Sequence, residues 1–182
     1  MTSAEEWYDK FLYAYSKDKK LAKLHSQKVV KPSQWTNVML PLLRKLGEEM
    51  EYQVDTGTLN VDMVWKRESV IEVALEHENQ GDDPSEVIGD EGRKLLAVDC
   101  PLKILITYIS VQKRDPHYFN KTLHQYVSGL LNEMKARRGS SEFLLVVSPM
   151  TLAKEPEAQL WTAYKFSPSV EATPLVYPTY AY

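Results

Sequence analysis

Hydrophobic positions along the chain first change period near residue 50. Before that point they recur at helical spacing. Trp7, Phe11 and Leu12 mark a helical first thirty residues, with a basic, solvated stretch from Lys17 to Lys31. "KPSQWTNVMLPLLRKLGEEM" follows as a clearer helix: Ser33 is placed as its N-cap, Trp35, Met39, Leu42, Leu46 and Met50 form one apolar stripe, and Pro41 should kink it.

After residue 50 the pattern becomes extended. "EYQVDTGTLNVDMVW" reads as two short strands around a turn at Asp55-Thr56-Gly57. Lys66 to Ser69 makes a second polar turn, and "VIEVALEHEN" is a third strand. "QGDDPSEV" is a loop in which Asp83 caps and Pro84 opens a helix running to about Ala97, with Gly89 or Gly92 placed to let it sit close to a sheet. "LKILITYISV" reads as an apolar strand, consistent with a buried central position. A long amphipathic helix from Pro116 to Arg138 carries Phe119, Leu123, Tyr126, Val127, Leu130 and Met134, and "EFLLVVSP" is another buried strand. "LWTAYKFS" reads as a further edge strand. The resulting fold class is α/β: a mixed β-sheet flanked by helices, with short early connections and later crossover helices. The 182 residues suit one domain, with a core at about 34–150, an N-terminal helical segment 1–31 and an aromatic tail 168–182.

Composition narrows the chemistry. The 43% hydrophobic and 26% charged residues are those of a globular chain, and the net charge of −3 gives no global attraction to phosphate. A nucleic-acid partner needs a local patch, for which Lys17, Lys19, Lys20 and Lys23, or Lys135, Arg137 and Arg138, are candidates; solvated helix faces have the same composition. One cysteine, Cys100, excludes an internal disulfide and thiolate-rich zinc sites. No apolar run reaches membrane-spanning length and the N-terminus lacks a signal-peptide core, so a cytoplasmic protein with no membrane partner is expected. Phosphate-loop, hydrolase-elbow and EF-hand patterns are absent, and His25, His117 and His124 have no metal spacing.

The acids in the strands are the unusual feature. Strand alternation puts Ile71, Val73, Leu75 and His77 on one face and Glu72, Ala74, Glu76 and Glu78 on the other. Asp62 lies among valines in the preceding strand. A hairpin turning at Lys66 to Ser69 sets Asp62 near Glu76, with a bulge or twisted register bringing it beside Glu76 or the residue before. Three converging carboxylates are an oxygen-donor set for a hard divalent cation. Exposed edge-strand acids paired with Lys66, Arg67 or Lys94 fit the same spacing.

The order of elements, with Asp62 at the second strand and Glu76-His77-Glu78 on the third, resembles the PD-(D/E)XK nuclease superfamily. The resemblance covers roughly residues 35–110. It implies a restriction-endonuclease-like fold with an α-β-β-β-α-β core, Mg²⁺ (or Mn²⁺) held by Asp62, Glu76 and the backbone at His77, and hydrolysis of phosphodiester bonds in DNA. Glu78 stands where the family usually has Lys, an E-x-E variant in which Glu78 accepts a proton or holds a second cation, and Lys94 on the next helix is the candidate migrated lysine. Glu49 is a candidate first-helix metal ligand. The histidine side chain itself is expected on the far face, as a structural residue. The alternative is a catalytically inactive nuclease-fold protein acting as a binding or assembly module. A homodimer through the long helix is compatible with either.

Overall fold

The computed structural model describes residues 2–26, 32–79, 81–109, 117–137, 141–149, 161–167, 169 and 171–175. Every extended run joins one mixed sheet whose strand order follows the sequence: β1 (Gln53–Thr56), β2 (Met63–Arg67), β3 (Val70–Glu78), β4 (Leu102–Ile109), β5 (Glu142–Pro149), β6 (Thr162–Phe166) and β7 (Ala172–Pro174). The first three strands pair antiparallel, β3–β4 and β4–β5 are parallel, and β5–β6–β7 return to antiparallel. The connections dictate this. A two-residue turn joins only antiparallel neighbours, whereas the helical stretches after β3 and β4 are long enough to cross over. Strands β4 and β5 occupy the centre, and their apolar runs are buried almost throughout.

Helices cover both faces. On one lie α1 (Ala4–Lys17), α2 (Lys19–His25) and α3 (Pro32–Glu49), over a core including Trp7, Phe11, Leu43, Trp65, Leu75 and Ile106. On the other lie α4 (Pro84–Val87), a π-helical turn (Ile88–Gly92), α5 (Arg93–Ala97) and α6 (Tyr118–Arg137), over Val64, Ala74, Leu105 and Leu145. The stripe Leu123, Tyr126, Leu130 and Met134 of α6 is buried against this layer within the chain, so it offers no open apolar face for a dimer. No helix among the described residues is long and apolar enough to cross a membrane.

Local signals set the helix ends. Ser3 Oγ accepts the Glu6 N–H, Asp18 caps α2 through Lys20 and Leu21 N–H, and Asp83 caps α4 with Pro84 in the first turn. Helix α3 starts at Pro32, so Ser33 lies inside it rather than capping it; the fixed φ of proline suits a first turn. The helix continues through Pro41, which is exposed. Gly47 is where α3 meets the sheet: a Cβ there would stand 2.6 Å from Val54 and 2.8 Å from Trp65. The expected close approach at Gly89 or Gly92 does not occur on a sheet, since Gly89 faces open space and Gly92 meets Leu130 of α6 and Ile88.

Two other expectations are corrected, and parts of two more lie outside the described residues. Strand β6 is not an edge, because β7, drawn from the start of the aromatic tail, pairs outside it. Residues 176–182 of that tail and Arg138 of the second basic patch lie outside the described residues. Ile71 does not share a face with Val73 and Leu75: it packs with the α4–α6 layer, while Glu72 accepts a hydrogen bond from Tyr52 on the other side. The cause is a bulge in β3, and that bulge also builds the site.

Candidate active site

Strand β2 turns into β3 through Glu68 and Ser69, both left-handed (φ 49° and 68°), with Arg67 paired to Val70 and Lys66 to Ile71. Two consecutive positive φ values make the tight primed turn whose twist matches a hairpin. The next pair is Trp65 with Val73, so Glu72 is an extra residue on β3. Continued without the bulge, the register would set Asp62 against Leu75. With it, Met63 pairs Leu75, and Asp62, one residue before β2, falls opposite Glu76. The backbone N–H of His77 donates to Asp62 Oδ2 at 2.9 Å, which fixes that carboxylate at the strand end.

Glu76 is only 4% exposed, yet its Oε1 has no hydrogen-bond partner among the described residues. Burial pushes its pKa up to about 9, with Asp62 and Glu91 adding repulsion of the charged form and hydrogen bonds to the protonated one. Glu91 comes from the π-helical turn. Both of its carboxylate oxygens accept from Lys94 Nζ at 2.9 Å, and Lys94 is held above the usual lysine range by that bond first and then by attraction to Glu91 and Glu76. A π-turn widens the helix by one residue and is often found at functional sites. Here it carries Glu91 and, one turn later, Lys94 into the same opening.

These groups share a cavity of about 490 Å³. Asp62, Glu76, Glu78, Glu91 and Lys94 supply its charged lining, and Thr56, Gly57 and Asn60 of the β1–β2 loop its rim. That loop holds Gly57, Leu59 and Asn60 at positive φ. The cavity opens beside the carboxyl ends of the parallel pair β3–β4, where open α/β sheets form their crevices. With Glu76 protonated, the three other acids against one lysine still leave it negative.

The sequence-derived candidates separate cleanly. Asp62, Glu76, Glu78 and Lys94 come together. The His77 ring does not: it is buried on the far face with Nε2 3.0 Å from Tyr108 Oη, and burial lowers its pKa to about 3, so it is neutral. Only the His77 backbone can face the acids. Glu49 is elsewhere. It is exposed, pairs with Lys45 at 3.3 Å, and lines a groove toward α1 and α2. The helical reason is simple: Leu40 is the α3 residue lining the acidic cavity, and nine residues further on the helix points the opposite way. Glu91 was not among the candidates. Its signal was present, three residues before Lys94 on the same helical face.

The donors are hard oxygens in an excess of negative charge, with an orphaned buried oxygen at their centre, which is the chemistry a divalent cation of the Mg²⁺ class takes. Among the described residues, no group of three or more His, Cys, Asp or Glu side chains is placed to hold a metal ion. No protein-family model matches the sequence, and no curated protein matches it.

Proposed function

We propose that the chain is a divalent-metal-dependent nuclease hydrolysing phosphodiester bonds of DNA on a restriction-endonuclease-like core. The observation carrying this reading is the convergence of Asp62, Glu76, Glu91 and Lys94 in one cavity. The order α3, β1–β2–β3 antiparallel, helix, and β4 parallel to β3 supports the same reading.

Asp62 and Glu76 would hold Mg²⁺ or Mn²⁺, with Glu91 and the His77 backbone as further donors. A bound cation of this kind polarises a phosphate oxygen and acidifies a water. The chain's own groups supply the rest. Asp62 is fixed by the His77 N–H. Lys94 brings the one positive charge into the acidic lining, at a place where it can meet a phosphate oxygen once Glu91 turns to other work. It thereby restores the cation that Glu78 removes from the strand. Glu78 is a proton acceptor on the same side.

The second reading, a non-catalytic binding module on this fold, is favoured by one observation: Lys94 is already engaged by both oxygens of Glu91. Incubation of DNA with the protein and Mg²⁺ or Mn²⁺ separates the two. Cleavage that needs the metal and is lost in both Glu76→Ala and Lys94→Ala supports the nuclease. Metal binding with no cleavage by the wild-type chain supports the module.

A further inference from the structure

Residues 10–31 hold seven lysines against a single acid, Asp18, in a chain that is negative overall. Three of these lysines, Lys17, Lys19 and Lys20, line a groove of about 380 Å³ between α1, α2 and α3, on the side of α3 turned away from the acidic cavity. Lys17, Lys19 and Lys20 line it from one wall and Lys45 from the other. The two acids present are occupied: Asp18 accepts the Lys20 and Leu21 backbone N–H groups at 2.8 and 2.9 Å, and Glu49 pairs with Lys45. Lys17, Lys19 and Lys20 have no carboxylate partner among the described residues. Tyr13, the most exposed large hydrophobic residue described at 69%, stands in the same groove.

We propose that this groove binds a single-stranded polynucleotide, with Lys17, Lys19, Lys20 and Lys45 on the phosphates and Tyr13 stacked on a base. Clustered lysines in a concavity attract any polyanion. Two features select this one. An exposed aromatic beside a lysine row offers a base face to stack on, as single-strand binding surfaces do. An anionic membrane is disfavoured, because Trp7, Phe11, Leu21 and Leu24 are buried and Tyr13 alone is an exposed large apolar residue on these helices as described, too little apolar surface for an interfacial helix. The groove stands apart from the acidic cavity, so the proposal does not depend on the nuclease reading.

The test is binding of a fluorescent twelve-nucleotide strand, as DNA and as RNA, by the full chain in EDTA, which silences any metal site. Binding should weaken with salt at a slope of about −2 to −3 in log–log form, as expected for roughly four phosphate contacts on a single strand. The triple variant Lys17→Gln, Lys19→Gln, Lys20→Gln should lose at least about tenfold in affinity at low salt and flatten the slope by about 2. Tyr13→Ala should lose at least about fivefold while keeping the slope. DNA and RNA should bind within a few-fold of each other, and the duplex more weakly, since stacking needs an open base. All four side chains are exposed, so unchanged melting curves will show that the variants fold. Undiminished binding in the triple variant, no binding by the wild type, or preference for phosphatidylserine vesicles over the strand overturns the proposal.

Discussion

The Asp62 carboxylate accepts the backbone N–H of His77 at 2.9 Å, a bond that exists because Glu72 bulges out of β3 and moves the hairpin register by one residue. The bond and the charge of Asp62 are separable. Asp62→Asn keeps an acceptor for the N–H and should melt within about 0.5 kcal/mol of wild type, whereas Asp62→Ala should lose a further ~1 kcal/mol. Both should lose Mn²⁺ binding. Urea unfolding and calorimetric titration read the two effects apart, and an Asp62→Asn protein that still binds Mn²⁺ removes Asp62 from the metal site.

Glu76 should make the metal-free protein less stable as pH rises. Its carboxyl titrates near 4.5 when unexposed to the fold's environment and near 9 in the folded chain, so the folded state holds the extra proton between those values. The stability from that proton is fully present below 4.5 and is lost as pH climbs through the window. Glu76→Gln cannot ionise. In EDTA at pH 8 it should melt at least about 3 °C above wild type, with a flatter pH dependence. A lower melting temperature for the variant contradicts the buried, repelled carboxyl.

His77 gives the opposite slope at lower pH. Burial lowers its pKa to about 3, against 6.5 for the free group, so the folded state binds fewer protons than the unfolded one between those values. Its contribution is present above pH 6.5 and disappears as pH falls toward 3. His77→Gln, which still reaches toward Tyr108, should show a shallower acid limb in circular dichroism melts. An unchanged acid limb would place the imidazole in contact with water.

Gly47 holds α3 against β1 and β2. Gly47→Ala puts a methyl group 2.6 Å from Val54 Cγ2 and 2.8 Å from the Trp65 ring, neither of which has room to retreat. The cost should be about 1–3 kcal/mol in urea unfolding. Gly89→Ala, which meets nothing within 4 Å, serves as the control and should not destabilise.

Periodicity carried the sheet and its flanking helices because β3, β4 and β5 are apolar at most of their buried positions, with Glu76, His77, Lys103, Thr107 and Ser148 as the polar exceptions, and α3 and α6 each bury one stripe. It carried Asp62 and Glu76 only as neighbours. Their alignment depends on one inserted residue, and nothing about Glu72 in the sequence distinguishes a bulged position from a paired one. The same insertion turned Ile71 to the other face. Glu49 failed for a different reason: which side of α3 meets the acidic cavity is decided by the sheet beneath it, not by the apolar stripe alone. Glu91 is legible through Lys94, because the two stand three residues apart on one helix face and form an ion pair.

The central claim is that Asp62, Glu76 and Glu91 share one divalent cation. A crystal soaked in Mn²⁺, read by anomalous diffraction, tests it most directly. The prediction is a single strong peak within coordination distance of Asp62 and Glu76, with Glu91 released from Lys94. No peak at that cavity, or a peak ligated by neither Asp62 nor Glu76, contradicts it.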